Sequence, residues 1–290
     1  MRVTERSRLG ALTLAQNRAS ERLDRASRVA SSGQRVVKPS DDPAAYGALV
    51  RRNHALAMLD EHSKIATRAR GELVVVESSL SAGVDIISRA MEAAIAGANS
   101  TSDSRSRQFL AEDVRTMREE LLALANTRYA DKYVFGGTKT DAAPFDTTTG
   151  AFLGNDQVVR VPVMEGVTPP SNISGATAFT VAGGRDIFAD LEALATALAT
   201  NDEAGISGAL APLTLNHAQL VRSQVEASFG AERFAQGLDV LMSTKAAITE
   251  QLSKEIEGDP STQITELSLA RTAYERSIAV TKQILSISST

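Results

Sequence analysis

Apolar residues recur every three or four positions along most of this chain, the spacing of one helix face. Leu73, Val76, Leu80, Ile87, Met91 and Ala94 form one such row inside a helical pattern that runs from Pro43 to about Asn99. The polar run Asn99-Ser100-Thr101-Ser102-Asp103 interrupts it. A second helix is predicted from about Ser104 to Asn126, with Leu110, Val114, Met117, Leu121 and Leu124 on its apolar side. A third runs from about Pro212 to Ile256 and carries Ala227, Ala231, Phe234, Leu238, Leu241, Ile248 and Leu252. At ~1.5 Å per residue that helix would span roughly 65 Å. Globular helices average only ~11–12 residues, so such a length implies a rod.

The two ends carry poorer heptad rows. Leu9, Leu12, Gln16, Ala19, Leu23, Ala26 and Ala30 make one; Ile264, Leu267, Arg271, Tyr274, Ile278, Thr281, Leu285 and Ser288 make the other. Gln16, Arg271 and Thr281 weaken a dry seam. Neither row is rich enough to hold a helix alone, so both are expected to order against partners.

Between the helical stretches the composition changes. Residues 131–186 are rich in glycine and hold prolines at 144, 162, 169 and 170. Val158, Val159, Val161 and Val163 form a β-prone run, Phe179-Thr180-Val181 another, and Tyr133 and Phe135 alternate as in a strand. Helix returns from Asp190 to Thr200. The expected fold is mainly α: an elongated helical rod and coiled coil formed by the N- and C-terminal segments, with a small β-rich central insertion. The expected domains are a terminal coiled-coil assembly domain (1–40 and 258–290), an α-helical rod domain (41–130 and 187–257) and a small β-rich outer module (131–186).

The stretch from Ser31 to Ala45 reads as a capped break between two helices. Gly33 suits a helix C-cap because it tolerates the left-handed conformation. Asp42 followed by Pro43 suits a helix start: the carboxylate accepts from a free amide, and proline at the first position loses no helical bond. Gly33, Asp41, Asp42 and Pro43 are the residues expected to set the bend.

Composition narrows the function. The chain has 43% hydrophobic residues, only 4% aromatics and no tryptophan, which favours helices packed side by side over a compact α/β enzyme core. It has no cysteine, which excludes disulfides and thiolate zinc sites. A cleaved export signal is not expected, because the start lacks a charged-then-apolar run, and no stretch is apolar enough for a transmembrane helix. The net charge of −4 hides an asymmetry: residues 1–40 hold nine basic side chains against three acids. Without interleaved aromatics, nucleic-acid binding is a poor explanation of that arm. Arg22, Arg25 and Arg28 are candidates for pairing with Glu266 or Glu275.

Catalytic chemistry finds little footing. His54, His62 and His217 lack metal-ligand spacing, and no G-x-S-x-G elbow occurs. Gly136-Gly137-Thr138-Lys139 lacks the frame of a phosphate-binding loop. No enzyme activity, cofactor or metal is expected.

Three separated strings add to this reading. Ser31 to Ala45 is one. Leu124 to Phe145, containing the turn residues Tyr133, Phe135, Gly136, Gly137 and Thr138, is the second. Asp259 to Leu267, continued by Ala273 to Ala279, is the third. Together with the opening Met1-Arg2-Val3-Thr4 they resemble the bacterial flagellin family, and its hook–filament junction branch more than filament-forming flagellins. The resemblance covers about residues 1–145 and 215–290. It implies a structural subunit of the extracellular flagellum, exported uncleaved through the type III channel and assembled through its terminal helices. The implied partners are other copies of the chain, a further hook-associated protein, flagellin and an export chaperone, with neither nucleic acid nor membrane. Leu9, Leu12, Leu23, Ile264, Leu267, Tyr274, Ile278 and Leu285 are the expected assembly residues. A filament-forming flagellin, or an activity housed in the central module, are the competing readings.

Overall fold

The computed structural model describes residues 5–288 apart from 101, 164 and 165; the side chains of 5–9 and 285–288 are outside it. Among the described residues eight α-helices follow one another: α1 (Glu5–Ser32), α2 (Pro43–Ala98), α3 (Ser104–Ala125), α4 (Gly175–Phe179), α5 (Ile187–Ala199), α6 (Glu203–Gly208), α7 (Leu210–Ile256) and α8 (Pro260–Ser288). The only sheet among the described residues pairs β1 (Arg128–Tyr129) antiparallel with β2 (Lys132–Tyr133), Arg128 opposite Tyr133. The chain divides into two compact units, Met1–Met58 with Ser243–Thr290, and Leu59–Met242.

The second unit holds the larger core. Leu73, Val76, Leu80, Ile87 and Ala94 of α2, Val114, Met117 and Leu121 of α3, and Ala227, Ala231, Phe234 and Leu241 of α7 are all buried, as their helical spacing requires. α3 packs along α5, whose Leu191, Leu194 and Leu198 are buried. The break at 99–103 is a capped one: Asp103 accepts from the amide of Ser106 at 2.7 Å. Arg107, only 2% exposed, closes it from inside. Its guanidinium donates to the carbonyl of Gly97 at 2.8 Å, to Asn201 Oδ1 at 2.6 Å and to Glu203 at 2.9 Å. The cation thereby meets the carbonyls that end α2, where a positive charge is favourable.

The small β component is reduced to β1 and β2 and a few isolated bridges. The valine run of 158–163 forms no named strand, but it folds back on 167–171: the Ser171 amide donates to the Val159 carbonyl at 2.8 Å, the Val161 amide to that of Pro169 at 3.1 Å and the Val163 amide to that of Val167 at 3.0 Å, with Arg160 opposite Pro170. Phe179-Thr180-Val181, read as a strand, is instead the end of α4 and the start of a 3₁₀ turn. The reason is packing. Five of the eight phenylalanines gather at one place, with Phe135 and Phe179 edge-on at 5.1 Å and Phe145 within 5.6 Å of Phe179, Phe188 and Phe152. Buried Gln219 then holds the turn, donating to the carbonyls of Ala178 and Thr180 at 3.2 and 3.1 Å.

Candidate assembly site

Within the first unit, the loop between α1 and α2 meets the end of α7 and the start of α8. α1 closes on Gly33, whose φ of +71° is the left-handed conformation that favours glycine. Its amide donates to the carbonyl of Val29 at 2.9 Å. The next residues run to the last turn of α7. The Arg35 amide donates to the carbonyl of Ile256 at 2.6 Å, and its guanidinium donates to that of Glu255 at 3.0 Å. Those carbonyls have no partner inside α7, so a cation there both bonds them and faces the negative end of the helix. Val36 is fully buried with Leu252 and Ile256, and Ala45, Tyr46, Leu49 and Leu56 pack around them.

Two aspartates fix the loop. Asp41 accepts from the amides of Val37 and Lys38 at 3.3 and 3.1 Å through one oxygen; the other faces Arg25 of α1 at 3.2 Å, a charge contact without hydrogen-bond alignment. Partial burial pushes its carboxyl up, but the two amides and Arg25 leave it below the ordinary value. Asp42 is the N-cap expected of it: it accepts from Ala44 and Ala45 at 3.1 and 3.0 Å, and Arg35 lies 3.3 Å from its other oxygen. The Ala45 amide is the main reason its carboxyl is held low. Pro43 is the first residue of α2.

α8 begins the same way. Asp259 accepts from the hydroxyl of Ser261, and from the hydroxyl and amide of Thr262 at 2.8 and 3.2 Å. Those side-chain bonds, Ser261 first, depress its carboxyl. Gln263, one turn on, donates to the carbonyls of Gly33 and Gly258, both at 3.1 Å. Gly33 is thus reached from α8 as well as ending α1.

α1 and α8 then pack along each other. Ala26 and Ala270 are buried in this seam; Leu12 and Leu23 of α1, and Leu267, Tyr274 and Ile278 of α8, are half-buried. Each terminal row therefore finds a first partner in the same chain. Ile264 is placed differently from the expected row: it is 67% exposed, and the inward position beside it belongs to Gln263. Leu9 and Leu285, like Met1 to Thr4, lie outside the described residues.

The arginines also differ from expectation. Arg25 turns to Asp41, while Glu275 pairs with Arg271 on its own helix at 3.0 Å. Among the described residues no ion pair joins Arg22 or Arg28 to Glu266 or Glu275. Arg22, Arg25, Arg35 and Arg276 instead rim a groove of about 710 Å³ that also takes in Glu266 and the exposed Leu269. Arg35, Val36 and Gln263, which join the loop to α7 and α8, are absent from the sequence-based candidates. Nothing in a single sequence pairs Arg35 with a carbonyl 220 positions away.

The turn motif belongs to the second unit. Tyr133 lies in β2 beneath the guanidinium of Arg128, 5.1 Å from its ring centre. Phe135 falls past the strand into the phenylalanine cluster. Gly136 and Gly137 turn the chain; Gly137 has φ +68°, and a Cβ there would meet the Asn155 carbonyl. Thr138 exchanges hydrogen bonds with the Asn155 side chain at 2.9 and 2.7 Å.

Comparison with known proteins shows what the chain is similar to. Residues 7–140 match the bacterial flagellin N-terminal helical region. Flagellar hook-associated protein 3 of Escherichia coli is 29% identical over 273 residues, 85% of each chain. The protein of the same name from Salmonella typhimurium is 35% identical over 150 residues, 51% of this chain and 47% of that one. The fold is like that in a crystal structure of Xanthomonas campestris FlgL, with TM-score 0.63 and 15% identity, over 70% of this chain and 99% of that one. Residues 7–140 of the chain are thus similar to the bacterial flagellin N-terminal helical region, and the chain as a whole is similar to flagellar hook-associated protein 3.

Proposed function

We propose that the chain is a structural subunit of the extracellular bacterial flagellum that joins the hook to the flagellin filament. The observation that carries this is the similarity to flagellar hook-associated protein 3 along 85% of both chains, which favours a junction role over that of a filament-forming flagellin. The terminal helices suit assembly. They bury one side against each other and keep Leu14, Ile264, Leu269 and Val280 exposed for neighbours. Ordering a chain costs ~1–2 kcal/mol per residue, so contacts on many copies acting together are what would hold such a layer. The partners in this reading are other copies, a further hook-associated protein on one side and flagellin on the other, with an export chaperone before secretion.

Immunogold labelling of isolated flagella tests the placement. A single band of gold where hook meets filament is expected. Gold along the filament would make the chain a filament-forming flagellin, and unlabelled flagella would place it elsewhere.

A further inference from the structure

The two units carry opposite charge. Met1–Met58 with Ser243–Thr290 holds sixteen Lys and Arg against eleven Asp and Glu, a formal charge of +5; Leu59–Met242 holds fifteen against twenty-four, a formal charge of −9. The positive charge of the first unit is concentrated on α1. Arg18, Arg22, Arg25, Arg28 and Lys38 line a cleft of about 480 Å³ with only Glu21 and Asp24 among them. Arg25 is engaged by Asp41, while Arg18, Arg22, Arg28 and Lys38 are exposed and, among the described residues, make no ion pair. α8, the helix packed on α1, offers them little: Glu266 shares a groove with Arg22 but with Arg276 beside it, and Glu275 is taken by Arg271. In the second unit the reverse holds. Asp85 and Glu92 of α2 and Asp113 and Glu119 of α3 are exposed and outside the ion pairs of the described residues.

We infer that the cationic cleft of α1 docks on the acidic 59–242 unit of a neighbouring copy of the chain. This rests on the assembly reading and names the surfaces that meet. Two first units placed cleft to cleft would set +5 against +5, whereas cleft to acidic unit sets +5 against −9. The contact uses a different patch on each copy. Such heterologous contacts propagate, closing into a ring or continuing as a helical layer according to the rotation between copies. Single exposed ion pairs contribute little, so the array sets register and orientation more than affinity, and it weakens as salt rises.

Photocrosslinking in isolated flagella tests it. Benzoylphenylalanine replaces Arg18 in otherwise intact chains, the flagella are irradiated, and chain-to-chain adducts of doubled mass are mapped by mass spectrometry. The acceptor peptide should lie within residues 59–242. Adding Arg22→Glu and Arg28→Glu should lower the adduct yield about tenfold, the equivalent of ~1.4 kcal/mol, with an unchanged circular dichroism spectrum showing that the chain still folds. An acceptor in 1–58 or 243–290, an acceptor on another protein, no interchain adduct, or a yield indifferent to charge reversal would each overturn the contact. Absence of the unsubstituted chain from the same flagella is a separate result, and it would refute the flagellar reading itself.

Discussion

The side-chain amide of Gln263 donates to the carbonyl of Gly33 at 3.1 Å, tying the first turn of α8 to the residue that ends α1. The two residues are 230 positions apart. The amide also serves Gly258, and the Gly258 amide donates to the same Gly33 carbonyl at 3.3 Å. One glutamine therefore sets where the terminal helix pair begins. Gln263→Leu keeps the bulk and removes the donor. It should cost about 1 kcal/mol and raise hydrogen exchange in the first turns of α8 and the last turn of α1, leaving α3 and α5 unchanged. Unchanged exchange at both helix ends would show that the seam alone sets the register.

Asp42→Ala removes the N-cap of α2 together with the partner of Arg35. A loss of ~1 kcal/mol is expected, read as a lower thermal midpoint for the first unit with the second unit's transition in place. Asp42→Asn, which keeps a capping oxygen but not the charge, should recover most of it.

Acid should act on the same joint. Asp41, Asp42 and Asp259 all have folded values below the ordinary 3.8. A depressed carboxyl stabilises the fold above its unfolded value, and that contribution is lost as pH falls through the folded value. Glu72 in the second unit has the opposite sign: burial raises its carboxyl against the pull of Lys132, so its charge opposes folding until it takes a proton. The first unit is expected to lose exchange protection below about pH 3.8, ahead of the Glu72 region. The double variant Asp42→Ala, Asp259→Ala should lose stability less steeply between about pH 5 and pH 2. Equal slopes in variant and parent would remove these caps from the account.

Arg107 carries a comparable load in the second unit. Arg107→Met leaves the Gly97 carbonyl and Asn201 without their donor. Because Glu203 and Asn201 are exposed, most of the cost comes from the buried Gly97 carbonyl, about 1–3 kcal/mol. Arg107→Lys should restore only part of it, since a single ammonium cannot serve acceptors that a planar fork reaches together. Chemical denaturation of the three chains gives the comparison.

Much of this fold was legible in the sequence where one periodicity ran undisturbed. The rows Leu73 to Ala94, Val114 to Leu121 and Ala227 to Leu241 are buried because helical spacing leaves them no other face. Asp42-Pro43 was legible for a local reason, since a cap needs only its own next few amides. The register of α8 was not. Heptad spacing chose Ile264 by hydrophobicity, but the inward position goes to Gln263 because two carbonyls need its amide. Phe179 was misread for a similar cause: Phe-Thr-Val favours a strand locally, yet the aromatic cluster and Gln219 hold it in a helix end. The ion-pair choice of Arg25 depends on where Asp41 is held by Val37 and Lys38, which no charge count contains.

The most direct test of a junction subunit is electron microscopy of cells that lack this chain, with flagellin measured in the medium. Bare hooks and flagellin shed from the cell are the predicted result, reversed when the chain is restored. Filaments of normal length on the mutant cells would contradict the account.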